Sequence, residues 1–471
     1  MPFILGEDRF QIKLLPNILD DYVSENNPVR VIDAYVDSIR LDELGFKVFE
    51  GTRPGQKPYR REDILKIYIY CYTNRIRSSR RMETETKRNI ELMWLVKKIS
   101  PDHGTLSAFM KNNKAAIKKL FKVFILFIKG LGLIDGNLLA IDGTKLKANS
   151  AKNKHYNENT IKKKVEYYES KINEYVNEFI NSTINESVKL LLTEKVETYK
   201  ERIKQLNTIK GELKNEGKKQ ICLTDPDSKS MKNNGKFEVC YNMQTLVDST
   251  NKFIADYEVT NDVNDQGQLS NMASKAKEIF NDQDKISLVA DTGYYNMKQI
   301  VNTVDEKTEV LIKRQKENKK KIEGGFDRTK FIFDKSNDAY TCPLGYTVPF
   351  KWNSREDDKD YKRYICTDYL KCGKKELCTS SKTGRSISRF SDEDIIEKVD
   401  EITLEKNYIY KRRGSIVEHP YGTIKRHFGY TYFLTRGLQS VNSEGAFICF
   451  AYNLKRLINI LGTRKLVDIF G

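Results

Sequence analysis

Apolar residues recur mostly at three- and four-residue steps through Ile117, Leu120, Phe121, Phe124, Phe127, Ile128 and Leu131, which places them on one helical face. Upstream, Asp63 to Tyr70 is an apolar helix segment that runs into Arg75-Ile-Arg-Ser-Ser-Arg-Arg81. A second helix is expected near Met82 to Val96, and Ser100-Pro101-Asp102 is a stop and restart signal. Residues 1–135 therefore read as an all-helical N-terminal domain. The pattern then changes. Ile161, Val165, Tyr168, Ile172, Tyr175 and Phe179 alternate steps of four and three, as do Leu192, Val196, Tyr199, Ile203 and Leu206. Two heptad runs around Asn181-Ser-Thr183 predict an antiparallel helical hairpin across 151–220.

Shorter apolar runs surround that hairpin. Leu138 to Ile141, Phe237 to Leu246, Phe253 to Val259, Ile286 to Ala290 and Glu309 to Lys313 read as strands. Gln266 to Phe280 and Asn296 to Val304 read as helices. An α/β core assembled from 136–150, 221–315 and 396–471 follows. Residues 316–395 are polar, Lys-rich and turn-rich and read as a second, Cys-containing insertion. Helix returns over 404–465, with a largely apolar stretch from Ala446 to Leu461.

Composition adds a partner. The 471 residues are 39% hydrophobic and 31% charged, within the foldable range, and suffice for two to four domains. A net charge of +17 points to a polyanion, nucleic acid first and an anionic membrane surface second. A merely Lys-rich chain would carry the same charge. The longest apolar runs, Val123 to Ile128 and Ala446 to Tyr452, fall far short of the roughly 20 residues of a spanning helix. Neither a membrane segment nor a signal peptide is expected. Eight cysteines make no disulfide scaffold, so a reducing cytoplasm is the expected location.

Candidate chemistry sits at strand ends. Asp142 ends one apolar run and Asp291 ends another. Carboxylates gathered at one edge of an α/β sheet repel unless a cation lies between them, and hard divalent ions prefer carboxylate oxygens. Two acids in ordinary strand-end turns are the alternative. Glu418 supplies a third acid, and Lys425, seven residues on, falls almost in line with it on a helix. Pro420 requires that helix to start near Glu418 or to bend there. Ser415 followed by Glu418 also fits a capping box. The turn and basic helix of Arg75, Arg77, Arg80 and Arg81 suit a DNA-reading module, or else the solvated face of a helical bundle.

Six segments, in chain order, then carry a resemblance. They are Ile141-Asp-Gly-Thr144, Thr224-Asp-Pro-Asp227, Tyr241-Asn-Met-Gln244, Glu258-Val-Thr-Asn-Asp262, Ala290-Asp-Thr-Gly-Tyr-Tyr295 and Val417-Glu-His-Pro-Tyr-Gly-Thr-Ile-Lys-Arg426. Together with Tyr59 to Asn113 they resemble insertion-sequence transposases of the DDE class, in the branch with a Tyr…Arg…Glu…Lys signature. The resemblance implies a ribonuclease H-like catalytic core with Asp142, Asp291 and Glu418 as a triad binding Mg²⁺ or Mn²⁺. It implies DNA contacts from Lys425, Arg413 and Tyr410, the last two lying one residue earlier than the strict spacing. It also implies double-stranded DNA, terminal repeats and target, as partner, a homodimer on that DNA, and a bacterial, nucleoid-associated setting. The expected activity is DNA cleavage and strand transfer. A DNA-binding descendant that no longer cuts and a ribonuclease H-like nuclease without strand transfer are the alternatives.

Four cysteines cluster in the second insertion: Cys342, Cys366, Cys372 and Cys378. A structural zinc site is one reading and four uncoordinated thiols the other, since no C-x2-C knuckle is present. Cys71, Cys222, Cys240 and Cys449 read as buried small apolar residues. His419, beside Glu418, reads as shaping the helix start or sitting in the surface, with contact to substrate as the alternative.

Overall fold

The computed structural model describes residues 18–47, 57–181, 186–314, 325–326, 328–356 and 359–471. Helices α1 (Val29–Asp37), α2 (Arg61–Thr73), α3 (Ser79–Arg88), α4 (Ile90–Leu95), α5 (His103–Asn112) and α6 (Lys114–Gly130) lead into strand β1 (Leu138–Lys147). Next come β2 (His155–Asn157), α7 (Glu158–Asn181), α8 (Glu186–Asn215) and β3 (Gln220–Cys222). Strands β4 (Lys229–Asn233), β5 (Lys236–Asp248) and β6 (Ile254–Thr260) precede α9 (Leu269–Ile279), β7 (Ile286–Ala290), α10 (Met297–Thr303) and β8 (Thr308–Leu311). Then follow β9 (Ile332–Asp334), β10 (Ala339–Thr341), β11 (Thr347–Glu356), β12 (Lys359–Ile365), α11 (Lys375–Cys378) and β13 (Ser386–Phe390). The chain closes with α12 (Glu393–Glu405), α13 (Asn407–Tyr421), a π-helix (Gly422–His427), α14 (Leu438–Leu461) and α15 (Thr463–Phe470). It is a mixed α/β chain of two compact units, one of residues 1–135, 142–263 and 416–471, the other of 136–141 and 264–415.

In the first unit α14 is buried through Ala446 to Leu454, as its unbroken apolar run requires. Helices α2 and α6 and strand β6 pack on it. Phe447 stacks on Tyr68 at 5.1 Å, and the Phe450 ring lies 4.3 Å from that of Phe124. Such aromatic pairs add to the gain from area burial. Strand β5 lies between β4 and β1, and β6 runs antiparallel to β5 with Gln244 opposite Glu258. The expected helix from Met82 to Val96 is two helices. Asn89 leaves the helical conformation (φ −91°, ψ 114°) and its side chain accepts the Leu92 N–H, capping α4.

The heptads do form a hairpin. Ile161 of α7 packs with Leu206, Ile209 and Leu213 of α8. Tyr168 and Tyr175 stack on Tyr199 at 5.3 and 5.9 Å. Antiparallel β2 and β3 close the base of the hairpin, with His155 opposite Cys222.

In the second unit the first four residues of β1 pair in parallel with β7, Leu139 opposite Leu288 and Ile141 opposite Ala290. Strand β7 continues in parallel to β8. The largely apolar sequences of β7 and of the start of β1 match burial on both faces, while β8 also buries Thr308 and Glu309. Gly136, at φ +74°, opens this segment, and a methyl group there would collide with the Phe280 ring. Residues 332–390, read from sequence as turn-rich, form an antiparallel sheet in the order β13-β12-β11-β10-β9. Lys, Asp and Arg populate its exposed face, so the apolar alternation is faint. A core of Phe331, Tyr340, Val348, Tyr364 and Ile387 nevertheless holds it.

Candidate active site

Asp291 follows the last residue of β7 in the second unit. Its carboxylate accepts the Thr292 N–H at 2.6 Å and the Thr292 hydroxyl at 3.0 Å, which holds it at the start of a short 3₁₀ turn. It is 47% exposed, open enough to meet a ligand. Two side chains of α13 face it. The Arg413 guanidinium approaches Asp291 to 3.9 Å. Burial, reinforced by the Asp291 charge and opposed by Arg413, raises the Tyr410 phenol above its usual value. A three-residue step puts Tyr410 and Arg413 on one side of a helix. Lys313 lies over the Tyr410 ring at 4.6 Å. The second unit thus brings Asp291, Tyr410 and Arg413 together.

The first unit holds Asp142, Glu418 and Lys425. Asp142 accepts the Gly143 N–H at 3.0 Å through its side chain, while its backbone carbonyl accepts the Tyr421 hydroxyl at 2.7 Å. Thr245 of β5 bonds the same Tyr421 hydroxyl at 2.8 Å. Tyr421 and Thr245 therefore fix the strand at Asp142, a role that motif spacing did not reveal. Lys425 donates to the Lys145 carbonyl at 3.2 Å. Burial lowers its ammonium below the usual lysine value, against the opposing pull of Cys240 and Asp142.

Glu418 is exposed near the end of α13, a helix that starts well before it, at Asn407. The capping box is absent: Ser415 lies inside the helix, its hydroxyl bonded to the Arg412 carbonyl at 2.8 Å. Glu418 and Lys425 are not in α-helical line either. Pro420 lacks an N–H and the chain widens into the π-helix two residues later, at Gly422, which changes the angle per residue. His419 bonds the Tyr452 hydroxyl at 2.9 Å and Arg456 at 3.1 Å, tying α13 to α14.

The basic turn splits into two kinds of residue. Arg75, Arg80 and Arg81 are exposed. Arg77 is not available to DNA: its side chain is 6% exposed and ion-paired at 3.3 Å with fully buried Glu444. The Tyr430 and Tyr432 rings lie 4.5 and 4.6 Å from its guanidinium. Its place is structural, because a buried carboxylate needs that cation more than solvent does.

Cys342, Cys366, Cys372 and Cys378 do converge, lining a cavity of about 30 Å³ with Phe326 and Phe331. Cys342 Sγ accepts the N–H groups of Leu344 and Tyr346 at 3.4 and 3.3 Å. Yet among the described residues no group of three or more His, Cys, Asp or Glu side chains is arranged to hold a metal ion. Burial raises the Cys366 and Cys378 thiols above their usual value. The other four cysteines are buried, as their positions required. Among the described residues no helix is long and apolar enough to cross a membrane.

Residues 341–458 match the family model of a transposase DDE domain, and residues 17–112 match that of a transposase domain (DUF772). The first spans Tyr410, Arg413, Glu418 and Lys425, the second the basic turn from Arg75 to Arg81. Asp142 and Asp291 lie outside both. The two domain matches on one chain support a DDE transposase of the insertion-sequence type. A solved structure of the piggyBac transposase synaptic complex with hairpin DNA is similar at 9% identity and a TM-score of 0.35, over 94% of this chain and 79% of that one. No curated protein matches the chain.

Proposed function

We propose that the chain cleaves and rejoins double-stranded DNA at the ends of its own element, with Asp142, Asp291 and Glu418 as the catalytic carboxylates. The observation that carries this reading is the parallel register of β1 and β7. Ile141 stands opposite Ala290, and the next residue on each strand is an aspartate. Strand ends at the carboxyl edge of parallel strands are where α/β folds assemble ligand sites. The strand pairings support a ribonuclease H-like core: β6 beside β5, β5 beside β1, then β1, β7 and β8 in parallel.

Among the described residues no group of three carboxylates is already arranged to hold a metal ion, but the chemistry of an all-carboxylate donor set suits Mg²⁺ or Mn²⁺. Such ions, when bound, activate water or a DNA 3′-hydroxyl and stabilise the leaving oxygen. The chain's own residues do the rest. Tyr421 and Thr245 hold the backbone at Asp142. Arg413 and Tyr410 stand beside Asp291, where a guanidinium and a phenol meet phosphate oxygens. Lys425 places an amine within the field of Asp142, in a site where burial makes its charge costly until an anion arrives. The protein acts on DNA as a homodimer in the bacterial nucleoid.

Incubation with Mg²⁺ and duplexes carrying the flanking terminal repeats tests this. The wild-type chain yields nicked and joined products. Asp142→Asn, Asp291→Asn and Glu418→Gln each lower cleavage by at least about 100-fold, on the scale of lost transition-state electrostatics, while leaving DNA binding in place. A variant that still cuts at the wild-type rate removes its residue from the triad. A wild-type chain that binds repeat ends without cutting identifies a non-cutting descendant.

A further inference from the structure

Arg75 has a backbone that arginine rarely adopts. It follows the end of α2 at φ +65°, and the Ile76 N–H reaches back to the Cys71 carbonyl at 2.7 Å. That is the glycine position of a helix C-terminal motif, where a side chain is strained. The strained residue carries its guanidinium out to His427, at the end of the π-helix, and lies 3.0 Å from both ring nitrogens. Lys455 of α14 reaches His427 Nε2 at 2.7 Å from its own side.

A neutral imidazole offers one lone pair in its plane. Here two cationic donors crowd it, so the cluster has more N–H groups than acceptors. Among the described residues no carboxylate pairs with Arg75, His427 or Lys455. Arg426 stands exposed one residue before His427. Burial, then Lys455 and Arg75, lower the His427 pKa below its usual value. A group with several acceptor oxygens and negative charge relieves both the shortage and the repulsion, and phosphate has this chemistry.

We propose that Arg75, His427 and Lys455 form a site for one backbone phosphate of duplex DNA, read without regard to sequence. The inference rests on the transposase reading, since that supplies DNA as the source of the phosphate. Left-handed Arg75 is the positioning device: it aims one helix end at the π-helix and at α14. Phosphate contacts of this kind fix the orientation of a protein on the duplex and leave base readout to other groups.

The test uses the full chain and a short duplex of arbitrary sequence, with affinity measured across salt concentrations. Arg75→Asn keeps a residue that tolerates the left-handed backbone, and Lys455→Gln keeps the length of the stem. One phosphate contributes about 0.9 to the slope of log affinity against log salt; each variant lowers the slope by part of that, and the pair by about the whole of it. The His427 imidazole, one of only four in the chain, is followed by NMR. Duplex raises its pKa; inorganic phosphate at the same phosphate concentration raises it less. Variants that bind with the wild-type slope, or a His427 titration that duplex leaves unchanged, overturn the site while leaving the transposase reading intact. A larger shift with inorganic phosphate than with duplex overturns the DNA assignment. A wild-type chain that fails to bind any duplex overturns this inference and the transposase reading together.

Discussion

Glu444 in the first unit and Glu393 in the second are buried to nearly the same degree, 0% and 2% exposed, yet their carboxyls shift in opposite directions. Glu444 accepts the N–H groups of Leu434 and Thr435 and the Thr435 hydroxyl, with Arg77 as its cation. Burial outweighs these partners and raises its pKa. Glu393 meets two guanidiniums, Arg314 at 3.0 Å and Arg328 at 3.2 Å. Burial again pushes the carboxyl up, but Arg328 and Arg314 outweigh it and the net shift is downward. The heavier desolvation around Glu444 and the second facing cation at Glu393 together decide the sign. The first unit uses its carboxylate as a backbone clamp, and the second uses its own as the centre of an ion cluster.

The comparison breaks most visibly at Glu444. Glu444→Ala strands the Arg77 charge and the two amides, and is expected to cost about 3–5 kcal/mol. Chemical denaturation measures it, and Arg77→Met in the same background should recover part of the loss. A cost near zero would mean that Arg77 finds solvent and the clamp is dispensable.

Acid sharpens the contrast next. Glu309 of the second unit is 8% exposed; burial pushes its carboxyl up, but Lys285 and Lys406 hold it at about 2, against 4.5 for a free glutamate. A depressed carboxylate contributes stability above its unfolded pKa and loses it as pH falls through the folded value. Between roughly pH 4.5 and 2 the second unit should lose about 3 kcal/mol from this group. Glu444, with a raised pKa, has the opposite sign: its contribution is present at low pH and is lost as pH rises through the folded value. Hydrogen exchange at neutral and acid pH should show β7 and β8 opening before α14. The reverse order would sink the argument.

The smallest effect is expected at Glu393. Glu393→Gln removes one charge, but Arg314 keeps Asp400 at 3.2 Å and both guanidiniums are partly exposed. A loss of about 1–2 kcal/mol is expected. A cost equal to that of Glu444→Ala would erase the distinction between clamp and cluster.

Much of this was legible in the chain. Ile161, Tyr168 and Leu206 announced the hairpin because heptad spacing leaves a helix pair few other packings. Asp142 and Asp291 stood out because an acid directly after a run of three or four apolar residues marks a strand end. The sheet of β9 to β13 was faint, since a small aromatic core holds strands whose other face is charged. Arg75 and Arg77 are two residues apart and chemically alike, yet one is solvated and the other buried. Only the partner, Glu444, more than 360 residues along the chain, distinguishes them. Tyr421 bonds a backbone carbonyl, and such a bond leaves no trace in motif spacing.

The π-helix from Gly422 to His427 closes its turns on i→i+5 hydrogen bonds and so holds a residue more than an α-helix over the same rise. In terms of chain length, it behaves as an α-helix into which one residue has been slipped. Removing that residue would restore regular geometry and better local hydrogen bonding. It would also swing everything beyond it by about 100° relative to α13. Lys425 would leave the Lys145 carbonyl, and His427 would leave both Arg75 and Lys455. A shorter, more regular segment is thus open to this sequence by a single deletion, at the expense of the polar contacts of Lys425 and His427.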